Sequence, residues 1–447
     1  MREWHAASAG DLDPTALTFP AEFLFGAATS AHQVEGGTCN NWTLWERTRL
    51  AAGERCGRAV DHWHRFESDL GLMRWLGLQV YRFSVEWSRI ELLPGHYDDV
   101  ALGRYRAWCE ALRDAGILPM VTLHHFTEPV WITERGGFEN PATGETWVRF
   151  VEHVVAHLGD LVSHWITVNE PTGYAVQGWW RGEWPPGRTD PAAALRVIDN
   201  LLVAHSEAYR AIHRAGAGHQ VGLAHNIAVF LPAKRYSPLD RLAAGRLHRA
   251  YNLAVLDALA TGSFEVDLPG LTYSTCHDAV RGTQDFLGLN HYYALTVRVR
   301  PFAEDQLDVG FSSHSDKNDL GWSLDPTTLA AALAAVSPYG LPILVTEHGA
   351  CDAAVPDVRR RRFLAHSLQV LREAMAEGAD VRMYIHWSLI DNFEWAYGFS
   401  PRFGLFRVDH TTLERFPTTS ADFYRELIAA HRADSTKSGG DEPGQGG

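Results

Sequence analysis

Two glutamates offer the clearest chemistry in this chain: Glu170 in HWITVNEP and Glu347 in PILVTEHG. Each closes a short apolar run and precedes a Pro or Gly turn, the pattern of a strand that delivers an acid to the C-terminal rim of a sheet. With one carboxyl attacking or taking a proton and another giving one, such a pair suggests acid, base and nucleophile chemistry. A single glutamate after a strand is ordinarily a solvated charge, so the weight rests on the setting the two share.

That setting is a repeat of strand and helix. β-type runs start at Phe23, Val80, Leu118, His164, Gln220, Asp285, Pro342 and Val381. Between most of them lie amphipathic stretches such as HRFESDLGLMRWLG, GRYRAWCEALRDAG and RRRFLAHSLQVLREAMAEG, with apolar residues every three or four positions. Eight βα units predict an α/β fold of one (β/α)8 TIM barrel with elaborated βα loops. The runs are nearly continuous in apolar residues at their starts and polar at their ends, where barrel enzymes place their sites. Read in order, the ends give Gln33 and Glu35, Arg82, His124 and His125, Asn169 and Glu170, Asn290 and Tyr292, Glu347, then Trp387 with Glu394 and Trp395 in the loop beyond. Amides, an imidazole and carboxylates pair with hydroxyls, and indoles take the C–H face of a pyranose; the set reads as a carbohydrate pocket.

Composition narrows the partners. The 447 residues are 46% hydrophobic and 21% charged, which fits a globular enzyme. A net charge of −14 argues against nucleic acid and acidic membranes. No run is long enough to span a bilayer and the start lacks a basic-then-apolar leader, so a cytoplasmic protein is expected, and the pocket residues call for a small-molecule sugar substrate. Cys39, Cys56, Cys109, Cys276 and Cys351 show no CxxC spacing, so no disulfide framework, metal or cofactor is expected. Residues 1–16 read as a flexible N-terminal segment, 17–432 as the barrel, and the Gly-rich stretch 433–447 as a disordered tail.

FLFGAATSAHQVEG, WITVNEP, VTEHG and WSLIDNFEW together resemble the signatures of glycoside hydrolase family 1, the β-glucosidase family, with similarity from about Phe19 to about Ile428. The resemblance implies a retaining, exo-acting β-glycosidase in which Glu347 attacks the anomeric carbon while Glu170 protonates the departing oxygen and later deprotonates water. Such carboxyls sit roughly 5 to 5.5 Å apart. It also implies that Arg82 and Tyr292 support the charge of Glu347 and that Asn290 belongs to the catalytic group. By the same resemblance Gln33, His125, Asn169, Glu394 and Trp395 meet the hydroxyls of the non-reducing sugar, Trp387 lies beneath its ring, and Trp322 forms the leaving-group platform. A carboxylate at Glu394 would repel a 6-phosphate, so an unphosphorylated glucoside, galactoside or fucoside is expected. Coupling between the two acids predicts a bell-shaped dependence of rate on pH.

On the leaving-group side, Trp179, Trp180 and Trp184 offer either aromatic surface for an aglycone or ordinary packing. An aryl or natural-product glycoside is expected over cellobiose. His348 follows the nucleophile where the family usually has Asn, and His291 stands where Tyr is common. A ring beside Glu347 would titrate with it or pack behind it. His62 and His64 suggest a metal-dependent hydrolase but have no third ligand at a recognisable spacing. A transglycosidase or a weakly active sugar-binding relative remain alternatives, and the oligomeric state is open.

Overall fold

Each of the eight β-type runs contributes one strand to a closed, all-parallel barrel: β1 (Leu24–Ala28), β2 (Val80–Ser84), β3 (Leu118–His124), β4 (His164–Asn169), β5 (Gln220–Asn226), β6 (Leu287–His291), β7 (Ile343–His348) and β8 (Val381–Trp387). The computed structural model describes residues 5–6, 9–50, 54–301, 307–312 and 315–438. Every strand pairs with its neighbours in chain order, and β8 closes on β1 with Leu24 opposite Met383 and Ala28 opposite Trp387. Parallel neighbours need a crossover, and the helices that make it cover the outside of the barrel.

The apolar residues divide into two packed sets. Inside the barrel sit Ala28, Val80, Met120, Ile166, Ala224, Leu344, Met383 and Ile385, drawn from seven of the strands. The larger set lies between strands and helices. The helix Thr143–Leu158 supplies Trp147, Phe150, Val151, Val154 and Leu158, all buried, from one stripe at spacings of one, three and four. Each such side chain contributes about 1.5–3 kcal/mol by leaving water, so this stripe fixes the helix against the wall. The helix Asp99–Asp114 begins where Asp98 accepts hydrogen bonds from the Val100 and Ala101 amides, and Gly116 ends the turn beyond it at φ +69. Gly26 is where strands approach closely: a Cβ there would lie 2.6 Å from the Val80 carbonyl oxygen.

Two sequence expectations change. The run QVGLAHNIAVF breaks after Asn226; its last two residues begin a separate strand, Val229–Pro232, that leaves the barrel and pairs with Ala294–Val299, which also pairs with Leu307–Gly310. The ends are less loose than composition suggests. Asp11 forms ion pairs with Arg361 and Arg362, and Pro14–Ala16 make a 3-10 turn, so this part of segment 1–16 is tied to the body. The helix Thr419–Ser438 runs beyond the boundary expected at 432; residues 1–4, 7–8 and 439–447 lie outside the described residues. Among the described residues no helix is long and apolar enough to cross a membrane.

Candidate active site

The acid-bearing strands both break register just before their acids. In β7, Leu344 belongs to the barrel interior and Val345 to the outer wall, so strict alternation would turn Thr346 and His348 inward. The pairing of β7 with β6 shifts between Val345 and Glu347 instead. Glu347 then lines the pocket and His348 packs outside. β4 does the same: Ile166 is interior, Val168 is in the outer wall, and register with β5 shifts before Asn169. Bulges of this kind re-aim a side chain. Glu170 follows with left-handed backbone at φ 45, as do the pocket residues Phe126 (φ 70) and Trp395 (φ 48). Conformations like these cost about 1–3 kcal/mol each and persist only where the surroundings over-determine them. Past Glu347, Gly349 leaves space that a Cβ would close, since it would lie 2.1 Å from the Trp387 carbonyl oxygen.

One polar network joins the two acids. Arg82, 1% exposed, donates from Nη1 to Glu347 Oε1 at 2.6 Å and from Nη2 to Asn169 Oδ1 at 2.7 Å. Asn290 Nδ2 lies 3.1 Å from that same Asn169 oxygen and 2.8 Å from Glu170 Oε1. Tyr292 donates to the second oxygen of Glu347 at 2.6 Å. Glu347 thus has a cation on one oxygen and a phenol on the other, whereas Glu170 meets only amides. Burial, then the Glu347 charge, push Glu170 up to about 7 against the opposing amide hydrogen bonds.

The remaining pocket suits a polyol with one apolar face. Asn169 uses its oxygen for Arg82 and Asn290, so its Nδ2 donates to His125 Nε2 at 3.2 Å. The proton of His125 is therefore assigned to Nδ1, a buried atom with no partner. Burial, then Arg82 and His124, hold that ring well below its usual range, so it is neutral. Trp387 and Trp395 each stack on His125, and Trp395 also stacks on His32 at 5.6 Å. Trp322 packs against Tyr292, Tyr293 and Phe403 at the pocket wall.

The model of "Glycosyl hydrolase family 1" matches residues 15–433. The chain belongs to glycosyl hydrolase family 1. It is 31% identical to beta-glucosidase A of Acetivibrio thermocellus over 92% of this chain and 98% of that one. It is 32% identical to a bifunctional beta-D-glucosidase/beta-D-fucosidase of Bifidobacterium breve, covering 93% and 99%. Among solved structures it is similar to a beta-glycosidase from Pyrococcus horikoshii, with 37% identity, a TM-score of 0.85, and 93% and 96% of the two chains covered.

Of the residues read from the sequence, this family 1 hydrolase brings Glu170, Glu347, Tyr292, His125, Trp322, Trp387, Glu394 and Trp395 to the pocket wall. Arg82, Asn169 and Asn290 are fully buried beside the acids, within the network. Gln33 is also fully buried: its amide donates to Asn392 Oδ1, the Phe393 carbonyl and Glu394, so it holds the Glu394 loop. Glu394 itself corrects an expectation. Burial, then Glu347, push it up to about 8, so near neutrality it keeps a proton and can donate as well as accept. Glu35 pairs with Arg89 and Tyr105 away from the pocket. Trp179 is buried and Trp180 faces a neighbouring cavity; of the three tryptophans only Trp184 lines this pocket.

His348 donates to or accepts from the Tyr384 hydroxyl at 2.9 Å and stacks on Phe363. Burial holds it well below its usual range, so it does not titrate with Glu347 near neutrality. His291 is bonded to the Ile227 carbonyl and Thr328. Cys351 is buried in the barrel-interior cluster and its thiol is pushed up to about 12 by burial, an unreactive state. His62 pairs with Asp69, and His64 with Asp61. Two groups among the described residues bring three ligating atoms within 4.8 Å: His32, Glu46 and Cys56, and Asp99, His153 and His157. Neither lines the pocket.

Sequence reasoning missed Asn226, whose Nδ2 donates to Glu170 Oε1 at 3.2 Å. In the sequence Asn226 lies inside the run QVGLAHNIAVF, and only the end of β5 at that residue makes it a strand-end amide like Asn169. Gln177, Tyr251, Tyr397 and Phe403 also line the pocket from loops and helices that carry no strand-end signal, and Tyr293 does so from the end of the sixth run, beside Tyr292.

Proposed function

We propose that this protein is a retaining, exo-acting β-glycosidase that hydrolyses unphosphorylated β-D-glycosides through a covalent glycosyl-enzyme on Glu347. The observation that carries the reading is the unequal treatment of two acids in one network: Glu347 held by Arg82 and Tyr292, Glu170 pushed up to about 7. Glu347 attacks the anomeric carbon as Glu170 gives its proton to the departing oxygen, and the alcohol leaves. Esterification removes the charge of Glu347, which lowers Glu170 and turns it into the base that deprotonates water for the second displacement. The product keeps its starting anomeric configuration.

Trp387 is assigned to the sugar ring, and His125, Glu394 and Trp395 to its hydroxyls, with Gln33 and Asn169 orienting Glu394 and His125. No Lys or Arg is among the described residues of the pocket wall, so a 6-phosphate would find no cation there to offset its burial. A gluco- or fuco-configured sugar is in keeping with the beta-D-glucosidase/beta-D-fucosidase relative.

The test is incubation with a panel of 2-deoxy-2-fluoro glycosides, read by intact mass and peptide mapping. Label on Glu347 is expected, and the rates rank the glycones. Label on another residue, or turnover of the parent glycosides with no label at all, rejects the assignment.

A further inference from the structure

We propose that Asp99, His153 and His157 form a binding site for a late transition-metal dication such as Zn²⁺, which on binding joins two of the helices that cover the barrel. The helix Thr143–Leu158 carries the run His153-Val154-Val155-Ala156-His157, so its two imidazoles lie four residues apart, on one face and about one turn from each other. Their ring centroids are 4.5 Å apart. Asp99, the first residue of the helix Asp99–Asp114, brings a carboxylate to them. One ligating atom from each of the three lies within 4.8 Å of the other two. Ligands of one tetrahedral zinc are about 3.4 Å apart, given Zn–N and Zn–O bonds of about 2.0–2.2 Å. The difference is within the reach of side-chain rotation, since Asp99 is exposed and both rings are half-buried.

The hydrogen bonds around the trio leave ligand atoms uncommitted. His157 Nδ1 lies 2.8 Å from the His153 carbonyl oxygen, which can only accept, so the proton of the neutral ring is assigned to Nδ1 and the lone pair of Nε2 is left for an ion. Donation of the other ring N–H to a backbone carbonyl is the arrangement that orients histidine ligands in metal sites. The His153 ring is held by Tyr97, which stacks on it at 3.8 Å, while its Nε2 is buried with no hydrogen-bond partner. Arg106, on the Asp99 helix, donates to the His157 carbonyl oxygen at 2.7 Å and forms an ion pair with Asp160, so the spacing of the two helices is already fixed. Two imidazoles and a carboxylate suit zinc and its late first-row neighbours rather than Mg²⁺ or Ca²⁺, which take oxygen ligands. The trio of His32, Glu46 and Cys56 contrasts with this one. It is buried and bonded within itself, with His32 Nε2 2.8 Å from Glu46 Oε1, the Cys56 amide donating to Glu46 Oε2 and the Cys56 thiol to the His32 carbonyl.

The experiment titrates the tag-free, chelator-treated full chain with zinc chloride by calorimetry and with cobalt chloride by visible absorption. Saturable uptake of one ion per chain is expected, with a rise in Tm and with cobalt d–d bands. His153→Gln and His157→Gln should each weaken zinc binding by at least about tenfold, the loss caused by removing even an outer partner of a metal ligand. Asp99→Asn keeps an oxygen but removes the charge, and should weaken binding less. These positions lie outside the catalytic pocket and are half-buried or exposed, so turnover without added ion should match the wild type and the outcome is independent of the β-glycosidase reading. Cys56→Ser should leave zinc affinity unchanged. Absence of saturable binding in the wild type, unchanged affinity in both histidine variants, or loss of binding in Cys56→Ser overturns the proposal.

Discussion

The pocket face and the helix-facing side of the barrel rim use similar residues for opposite ends. Glu347 and His348 are neighbours in β7, yet one meets Arg82 and Tyr292 at the pocket while the other meets Tyr384 and Phe363 behind the wall. His125 and His124 divide in the same way: His125 lines the pocket, and His124 packs among Phe138, Trp147 and Tyr174 with neither ring nitrogen bonded. Glu170 and Glu128 make a third pair. Both are pushed up to about 7, chiefly by burial, but Glu128 is enclosed behind the wall with the Thr133 and Tyr174 hydroxyls. A perturbed carboxyl or a buried histidine therefore does not identify the site; the direction in which the strand turns it does.

The sharpest way to break this comparison is at Glu347. Glu347→Gly is expected to lower kcat by roughly 10⁵ or more, with azide restoring turnover to give the inverted glycosyl azide, measured by product NMR. Wild-type kinetics with that variant would undo the division into faces. Next, Glu170→Gln is expected to cost about 10²–10⁴ in kcat, most for poor leaving groups. Since the proton-bearing form is the active one, wild-type kcat/KM should fall as pH rises through about 7, and this limb should vanish in the variant with an activated aryl substrate. Persistence of the limb would assign it to another group.

The helix-facing side should show in stability alone. Glu128 has a folded pKa of about 7 against an unfolded value near 4.5, so the folded state keeps a proton that the unfolded chain has lost. Stability is then fully present below about pH 4.5 and falls as pH rises through 7, a cost of about 3 kcal/mol. Glu128→Gln should remove this decline in denaturant titrations at pH 5 and pH 8 while turnover is retained. The smallest effect is expected at His348. His348→Asn should cost about 1–2 kcal/mol of stability through the lost Tyr384 hydrogen bond and packing, with kcat/KM within about threefold and the pH profile unmoved. A shifted profile would bring His348 back into the chemistry.

Much of this was legible in the chain. The eight β-type runs fell where the barrel strands lie because a strand enclosed on both sides must be apolar throughout and become polar only where it emerges. The strand-end reading found Arg82, Asn169, Asn290, Tyr292 and both acids for that reason. It overlooked Asn226 because that residue lies inside an apolar run, and only the folded chain ends β5 there. Tyr251 and Gln177 gave no such sign, because a helix residue lines a pocket only by virtue of how its helix is docked.

The sequence by itself determined the barrel, the two glutamates at its rim and the family, since strand period, helix period and short motifs are properties of neighbouring residues. Which way each rim residue faces was decided only by the tertiary structure. A register shift in β7 and another in β4 turn Glu347 and Asn169 inward against simple alternation. Such a shift depends on pairing with strands far away in the chain, which no local pattern records. Burial, likewise a property of the assembled barrel, gives Glu170 and Glu394 their raised protonation and leaves His348 neutral behind the wall.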